Sequence, residues 1–201
     1  MLRVGLTGGL ASGKSFVGHA LAELGCYLIE ADKLGHEVMQ QGAEAYDAIV
    51  QEFGGGILDP NGQIDRRKLS ALVWDHPERL EKLNSFVHPA VWAREERRMD
   101  EIAQADPHAI AVVEAAILVE TGSYKRFDKL IVVTCTAEQQ MERAMKRGSY
   151  SKEEVLSRIS RQLPLADKVR VADYVIDTSG SKESTLEQVR AVYETLRSLS
   201  V

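Results

Sequence analysis

Eight residues near the start of the chain, Gly8-Gly9-Leu10-Ala11-Ser12-Gly13-Lys14-Ser15, have the types and spacing needed to hold a polyphosphate. They fit the pattern G-x-x-x-x-G-K-[ST], with Gly8 and Gly13 at its two glycine positions. In such a loop successive backbone N–H groups surround phosphate oxygens, and the helix that follows adds the partial positive charge of its N-terminus. Lys14 is placed to reach the outer phosphates of a nucleotide, and the Ser15 hydroxyl to ligate Mg²⁺. The nucleotide-contacting residues on this reading are Gly8, Gly9, Ala11, Ser12, Gly13, Lys14, Ser15 and Phe16.

Asp32 is the second chemical candidate. It follows the apolar run Cys26-Tyr27-Leu28-Ile29, and a carboxylate at the C-terminal end of a strand in an open α/β sheet lies where ligands bind. It reads either as a group facing the phosphate in transfer or as the cap of the next helix, and Glu30 has a similar choice. The third candidate is a cationic helix–turn–helix after the fourth apolar strand, with Arg143, Lys146 and Arg147 close together. It suits a lid over a triphosphate; the alternative is a solvated basic face. Arg66, Arg67 and Lys68 form another basic corner, open to the same two readings.

The elements around these residues follow from periodicity. Leu2, Val4 and Leu6 alternate as a strand, and Phe16, Val17, Ala20, Leu21 and Leu24 fit one face of a helix, so strand, loop and helix come in the order phosphate binding requires. Further strands are read at Cys26–Ile29, Ala109–Val113, Lys129–Val133 and Asp173–Ile176. The small and β-branched residues of Ala109–Val113 are those of a central parallel strand. Between the second and third strands the pattern is helical from Lys33 to about Ala105, with a helix start at Asp75-His76-Pro77-Glu78 and another at His88-Pro89. A simple parallel crossover needs only about a dozen residues, so this stretch is an insertion large enough to hold a substrate. Thr136-Ala137-Glu138-Gln139 and Ser151-x-x-Glu154 are capping boxes that open the helices of the third part.

Composition sets the outer bounds. The 201 residues suit one domain with an insertion, and 44% hydrophobic with 27% charged residues is ordinary for a soluble protein. A net charge of −5 argues against nucleic acid as the main partner. The longest apolar stretch, Ala109–Val119, is broken by Glu114 and too short for a bilayer, and Met1-Leu2-Arg3-Val4 leads directly into the first strand, so no signal peptide is expected. Two isolated cysteines, Cys26 and Cys135, are expected to stay reduced in the core of a cytoplasmic protein. The five histidines show no metal-ligand spacing.

Taken together, these stretches resemble the dephospho-coenzyme A kinase family. The resemblance rests on Val4-Gly5-Leu6-Thr7-Gly8-Gly9 with Ser12-Gly13-Lys14-Ser15, then Ala31-Asp32, Gly62…Arg66-Arg67…Leu69, Leu83-Asn84 and His88-Pro89. It continues through Leu118-Val119-Glu120-Thr121, Gln140, Arg143, Arg147, Gln162, Lys168, Ala172-Asp173 and Val175-Ile176. It covers nearly the whole chain, and the ordered set is far more specific than the phosphate loop alone.

The resemblance implies an α/β fold, a P-loop kinase three-layer sandwich with a five-stranded parallel sheet, a helical acceptor-binding insertion and a helical lid. The nucleotide-binding core would be 1–32, 106–135 and 172–201, the acceptor domain 33–105 and the lid 136–171. The implied reaction moves the γ-phosphate of ATP to the ribose 3′-hydroxyl of dephospho-CoA. Asp32 would orient and deprotonate that hydroxyl, while Lys14, Mg²⁺ on Ser15, Arg143 and Arg147 would stabilise the transferring phosphoryl group. Arg66, Arg67 and His88 fall on the acceptor side. ATP and dephospho-CoA are the implied partners; a monomer is expected, with no membrane or nucleic-acid partner.

Five positions depart from the family's usual residues. Ala11 stands for a Gly, implying that no positive φ is needed there, and Phe16 for a Thr. Ala116 stands for a Pro, Glu30 for an Asp, and Thr178 for an Asn beside the adenine. Two rivals stay open: a P-loop kinase for another acceptor such as a nucleoside or sugar acid, and a nucleotide-dependent switch. No N-K-x-D guanine signature is present to favour the switch.

Overall fold

The computed structural model describes residues 1–148 and 151–200. Positions 149, 150 and 201, which fall in the expected lid and core ranges, lie outside the described residues. Five strands, β1 (Leu2–Gly8), β2 (Tyr27–Glu30), β3 (Ile110–Glu114), β4 (Lys129–Thr134) and β5 (Tyr174–Asp177), form one parallel sheet in the order β2-β3-β1-β4-β5. Val4 lies opposite Val112 on one side and Lys129 on the other, so β1 is central. The chain leaves β1 towards one edge to make β2, and crosses β1 between β3 and β4 to build the other edge. The end of β1 is thus where the connections change direction, the place at which open α/β sheets bind ligands.

Alternating side chains divide the sheet into two buried faces. Val4, Leu6, Val112, Ile131, Val133 and Ile176 meet Val17, Ala20 and Leu21 of α1 (Lys14–Glu23) and Val189 and Leu196 of α9 (Lys182–Leu199). On the other face Gly5 has no room for a side chain larger than hydrogen without moving Leu118 and Phe127, both 3.0 Å from where a Cβ would stand. Cover on both faces explains why β3 and β4 read as unbroken apolar runs.

The chain divides into two compact units, 1–29 with 99–201, and Glu30–Arg98. The second is helical: α2 (Ala31–Glu37), α3 (Tyr46–Phe53), α4 (Arg66–Val73) and the first part of α5 (Pro77–Ala105). Within it Arg94 of α5 forks onto Glu44 at 2.7–3.1 Å and reaches Glu37 of α2 at 3.0 Å. These hydrogen bonds tie α2 to α5 and hold the Glu44 carboxyl below its ordinary range. The first unit also contains α6 (Ala137–Gly148), α7 (Lys152–Ser160) and α8 (Leu165–Val169). Both expected capping boxes form, Thr136 with Gln139 and Ser151 with Glu154. Among the described residues no helix is long and apolar enough to cross a membrane.

Several local expectations are corrected. No new helix starts at His88-Pro89; α5 runs unbroken for 29 residues with Pro89 inside it. Proline removes one backbone donor and crowds one carbonyl, and the turns before and after it, with Val91 and Met99 buried, carry the helix through. Phe16 is exposed, not on the buried face of α1, because Val17, Ala20 and Leu21 already occupy that face. Cys26 is buried, with its thiol pushed up to about 12 by burial. Cys135 is free like Cys26, but only half-buried at the end of β4 rather than in the core.

Candidate active site

In the first unit the turn after β1 brings Gly8–Ser15 together as a closed loop. Gly13 caps α1 with φ +92°, a conformation side chains other than hydrogen rarely adopt. Gly8 is required for a different reason: a Cβ there would stand 2.5 Å from the Val133 carbonyl oxygen and 2.6 Å from Ser12 Oγ. Ala11 also takes positive φ, +55°. The expectation that alanine would remove the need for this conformation is therefore wrong. The loop must turn its amides inward, and Ala11 carries the left-handed strain that a glycine would avoid. Lys14 Nζ donates to the Gly9 carbonyl at 3.1 Å, folded over its own loop.

The Ser15 hydroxyl donates to Glu114 Oε1 at 2.8 Å. Glu114 ends β3, is 7% exposed, and its second oxygen, Oε2, is buried without a hydrogen-bond partner among the described residues. A buried carboxylate oxygen beside a hydroxyl that keeps its lone pairs is a set of hard oxygen donors, and it fits Mg²⁺ completed by phosphates and water. The loop motif marks Ser15; the signal that marks Asp32, a carboxylate at the C-terminal end of a parallel strand, marks Glu114 equally.

The three cations of α6 do not act as one face. Lys146 pairs with Glu142 at 2.6 Å. Arg143 donates to Thr178 Oγ1 at 2.9 Å and to the Thr178 carbonyl at 2.8 Å. The Thr178 hydroxyl also lies 2.8 Å from the Ser12 carbonyl, linking the end of β5 to the phosphate loop. Burial pushes the Cys135 thiol up, and the charges of Arg143 and Lys14 pull against it, which places both near the end of β4. Arg147 is exposed in the last turn of α6. After α7 the chain returns to the loop: Gln162 Oε1 accepts from the Leu10 N–H at 2.8 Å.

The second unit carries the other predicted residues. Asp32 is exposed in the first turn of α2, and no side chain caps that helix, so the capping alternative for Asp32 and Glu30 is not realised. Glu30 is ion-paired with Lys33. One turn beyond Asp32, His36 is held below its ordinary value by partial burial and by Arg66, with Asp32 opposing. Asp32, His36 and Arg66 therefore share one electrostatic neighbourhood; the i,i+4 spacing of His36 from Asp32 is the sequence signal for it. Asp65 caps α4 by accepting from the Arg67 and Lys68 N–H groups. Arg66 and Arg67 are exposed in that first turn, directly after the Asp65 cap, at a helix end that disfavours cations. Lys68 instead donates to the Leu58 carbonyl at 2.7 Å. His88 is half-buried, its pKa lowered by that burial, and its ring lies 6.0 Å from that of Trp92.

A family model described as dephospho-CoA kinase matches residues 2–184. A dephospho-CoA kinase of Aquifex aeolicus is 44% identical over 196 residues, 98% of either chain. Among solved structures, a Thermus thermophilus protein superposes with TM-score 0.80 at 30% identity over 97% of both chains. A dephospho-CoA kinase from Campylobacter jejuni gives 0.74 at 25% identity, over 99% of this chain and 98% of that one.

Proposed function

The chain belongs to the dephospho-CoA kinase family, whose reaction phosphorylates dephospho-CoA with ATP in the last step of coenzyme A synthesis, and we propose that it performs this reaction with the residues described above. The observation that carries the reading is the Gly8–Ser15 loop with Lys14 above it and Glu114 hydrogen-bonded to Ser15. The loop amides hold the β- and γ-phosphates, and Lys14 exchanges the Gly9 carbonyl for phosphate oxygen as ATP binds. Ser15 and Glu114 are the residues that would hold Mg²⁺, which when bound supplies charge neutralisation along the triphosphate.

Asp32 accepts the proton of the ribose 3′-hydroxyl as that oxygen attacks the γ-phosphorus and the bond from the γ-phosphorus to the bridging oxygen breaks, releasing ADP. It is exposed and not used as a helix cap, which leaves its carboxylate available as a base. Arg66 and Arg67, cations at a helix start that would repel them, suit the diphosphate of the acceptor. His88, beside Trp92 and half-buried, belongs to the same acceptor side. Arg147, exposed on the lid helix, meets the charge of the transferring group, and Arg143 positions the strand-end loop at Thr178. The stretch 33–105 serves as acceptor domain and 136–171 as lid. The protein works in the cytoplasm, a reading supported by its free cysteines, and as a monomer.

A coupled assay of ADP release tests the proposal. Turnover that requires dephospho-CoA is the expected result. ADP release that ignores dephospho-CoA, or that requires a nucleoside or sugar acid instead, would overturn it.

A further inference from the structure

Lys168 has no part in the chemistry above, yet its side chain is fully buried. It comes from the five-residue helix α8, and its ammonium meets three acceptors: Glu120 Oε1 at 2.6 Å, the Ala116 carbonyl at 2.8 Å and the Gly8 carbonyl at 3.4 Å. An ammonium carries three protons, so each has a place to go. Burying such a charge is costly even when it is paired, and an apolar side chain could anchor α8 without that cost. The carbonyl partners are what an apolar side chain could not serve.

One of those carbonyls opens the phosphate loop. A peptide group is planar and trans, so the Gly9 N–H points away from the Gly8 oxygen. Drawing that oxygen towards Lys168 fixes the direction of the Gly9 N–H. One residue on, Gln162 Oε1 takes the Leu10 N–H, and the Leu163 N–H donates to the same Glu120 oxygen at 3.2 Å. Residues 162–168 therefore grip two peptide groups at the entrance of the loop, and Glu120 anchors the segment that does so.

We infer that Lys168 is a positioning residue for ATP binding: from behind the loop its ammonium sets the Gly8–Gly9 peptide, and Glu120 offsets the cost of burying that charge. The inference rests on the reading that residues 8–15 hold ATP.

Three variants test it, each followed by thermal melting, calorimetric titration with Mg·ATP, and kcat and KM. Replacing the pair by apolar residues of similar size, Lys168→Met with Glu120→Met, removes both charges together and is expected to leave the melting temperature near that of the unaltered chain. ATP affinity and kcat/KM for ATP should nonetheless fall by at least about 10-fold, because the peptide is no longer held. Glu120→Gln leaves the ammonium on both carbonyls, so it should lower the melting temperature while ATP affinity changes less than about threefold. Lys168→Met alone should lose both stability and affinity. ATP binding within threefold of the unaltered chain in the double variant would overturn the inference, as would a double variant that does not fold, since the pair would then be architectural. Equal loss of affinity in Glu120→Gln and Lys168→Met would also overturn it. An unaltered chain that binds no ATP would defeat the reading of the loop itself, a result separable from all of these.

Discussion

Glu114 Oε1 accepts the Ser15 hydroxyl hydrogen bond at 2.8 Å, while its other oxygen is buried without a partner among the described residues. On the proposed assignment, the Ser15 lone pairs and that carboxylate oxygen would hold the same Mg²⁺. Glu114→Gln keeps an oxygen for Ser15 to donate to and removes the charge. Activity at low Mg²⁺ should fall by about 10–100-fold, the range for groups that orient metal ligands. Raising Mg²⁺ should recover part of it. A titration of turnover against Mg²⁺ that superposes on the unaltered enzyme's would remove Glu114 from the site.

Arg143 and Arg147 should separate by what they change. Arg143 is held by Thr178, whose hydroxyl reaches the Ser12 carbonyl. Thr178→Val removes that hydroxyl at nearly constant shape, and it should weaken ATP binding, with Thr178→Ser restoring it. Arg147→Ala should instead lower kcat by about 10²–10³-fold, the usual loss for one group that stabilises transition-state charge. Equal effects of Arg147→Ala on ATP affinity and kcat would make it a ground-state anchor.

Ala11, at φ +55°, should behave opposite to most alanines. Ala11→Gly relieves left-handed strain of about 1–2 kcal/mol, against about 0.4–1 kcal/mol of added unfolded-state freedom. Thermal melting should show it neutral to stabilising. A clear loss of stability would mean the loop does not hold positive φ at this position.

His88 gives a pH dependence with a definite sign. Burial lowers its pKa below the ordinary 6.5, so the folded chain resists a proton that the unfolded chain accepts. Its stabilisation is complete above pH 6.5 and is lost as pH falls towards the lowered value. Denaturant melts at several pH values should show this slope, and His88→Gln should flatten it. An unchanged slope would assign the effect to other groups.

The parts of the molecule governed by local chemistry were legible in the sequence. Gly13 before Lys14, the alternation in β1 and the capping boxes at Thr136 and Ser151 each depend on neighbours within a few residues. Glu114 was legible in principle, since it ends a strand just as Cys26–Ile29 leads to Asp32. What the sequence hid depends on distant partners. Nothing near Lys168 announces that its ammonium will meet Gly8 and Glu120, and nothing near Arg143 announces Thr178. Pro89 misled because its local rule, a helix boundary, is overruled by packing along the rest of α5.

The most direct test of the account is phosphoryl transfer by Asp32→Asn. Asparagine keeps the size and some hydrogen bonding of Asp32 but cannot take the hydroxyl proton. Single-turnover transfer from ATP to dephospho-CoA at saturating Mg²⁺ should slow by about 10²–10⁴-fold, the range for loss of a general base, with ATP affinity little changed. A transfer rate within a few-fold of the unaltered enzyme would contradict the assignment of Asp32 as the catalytic base.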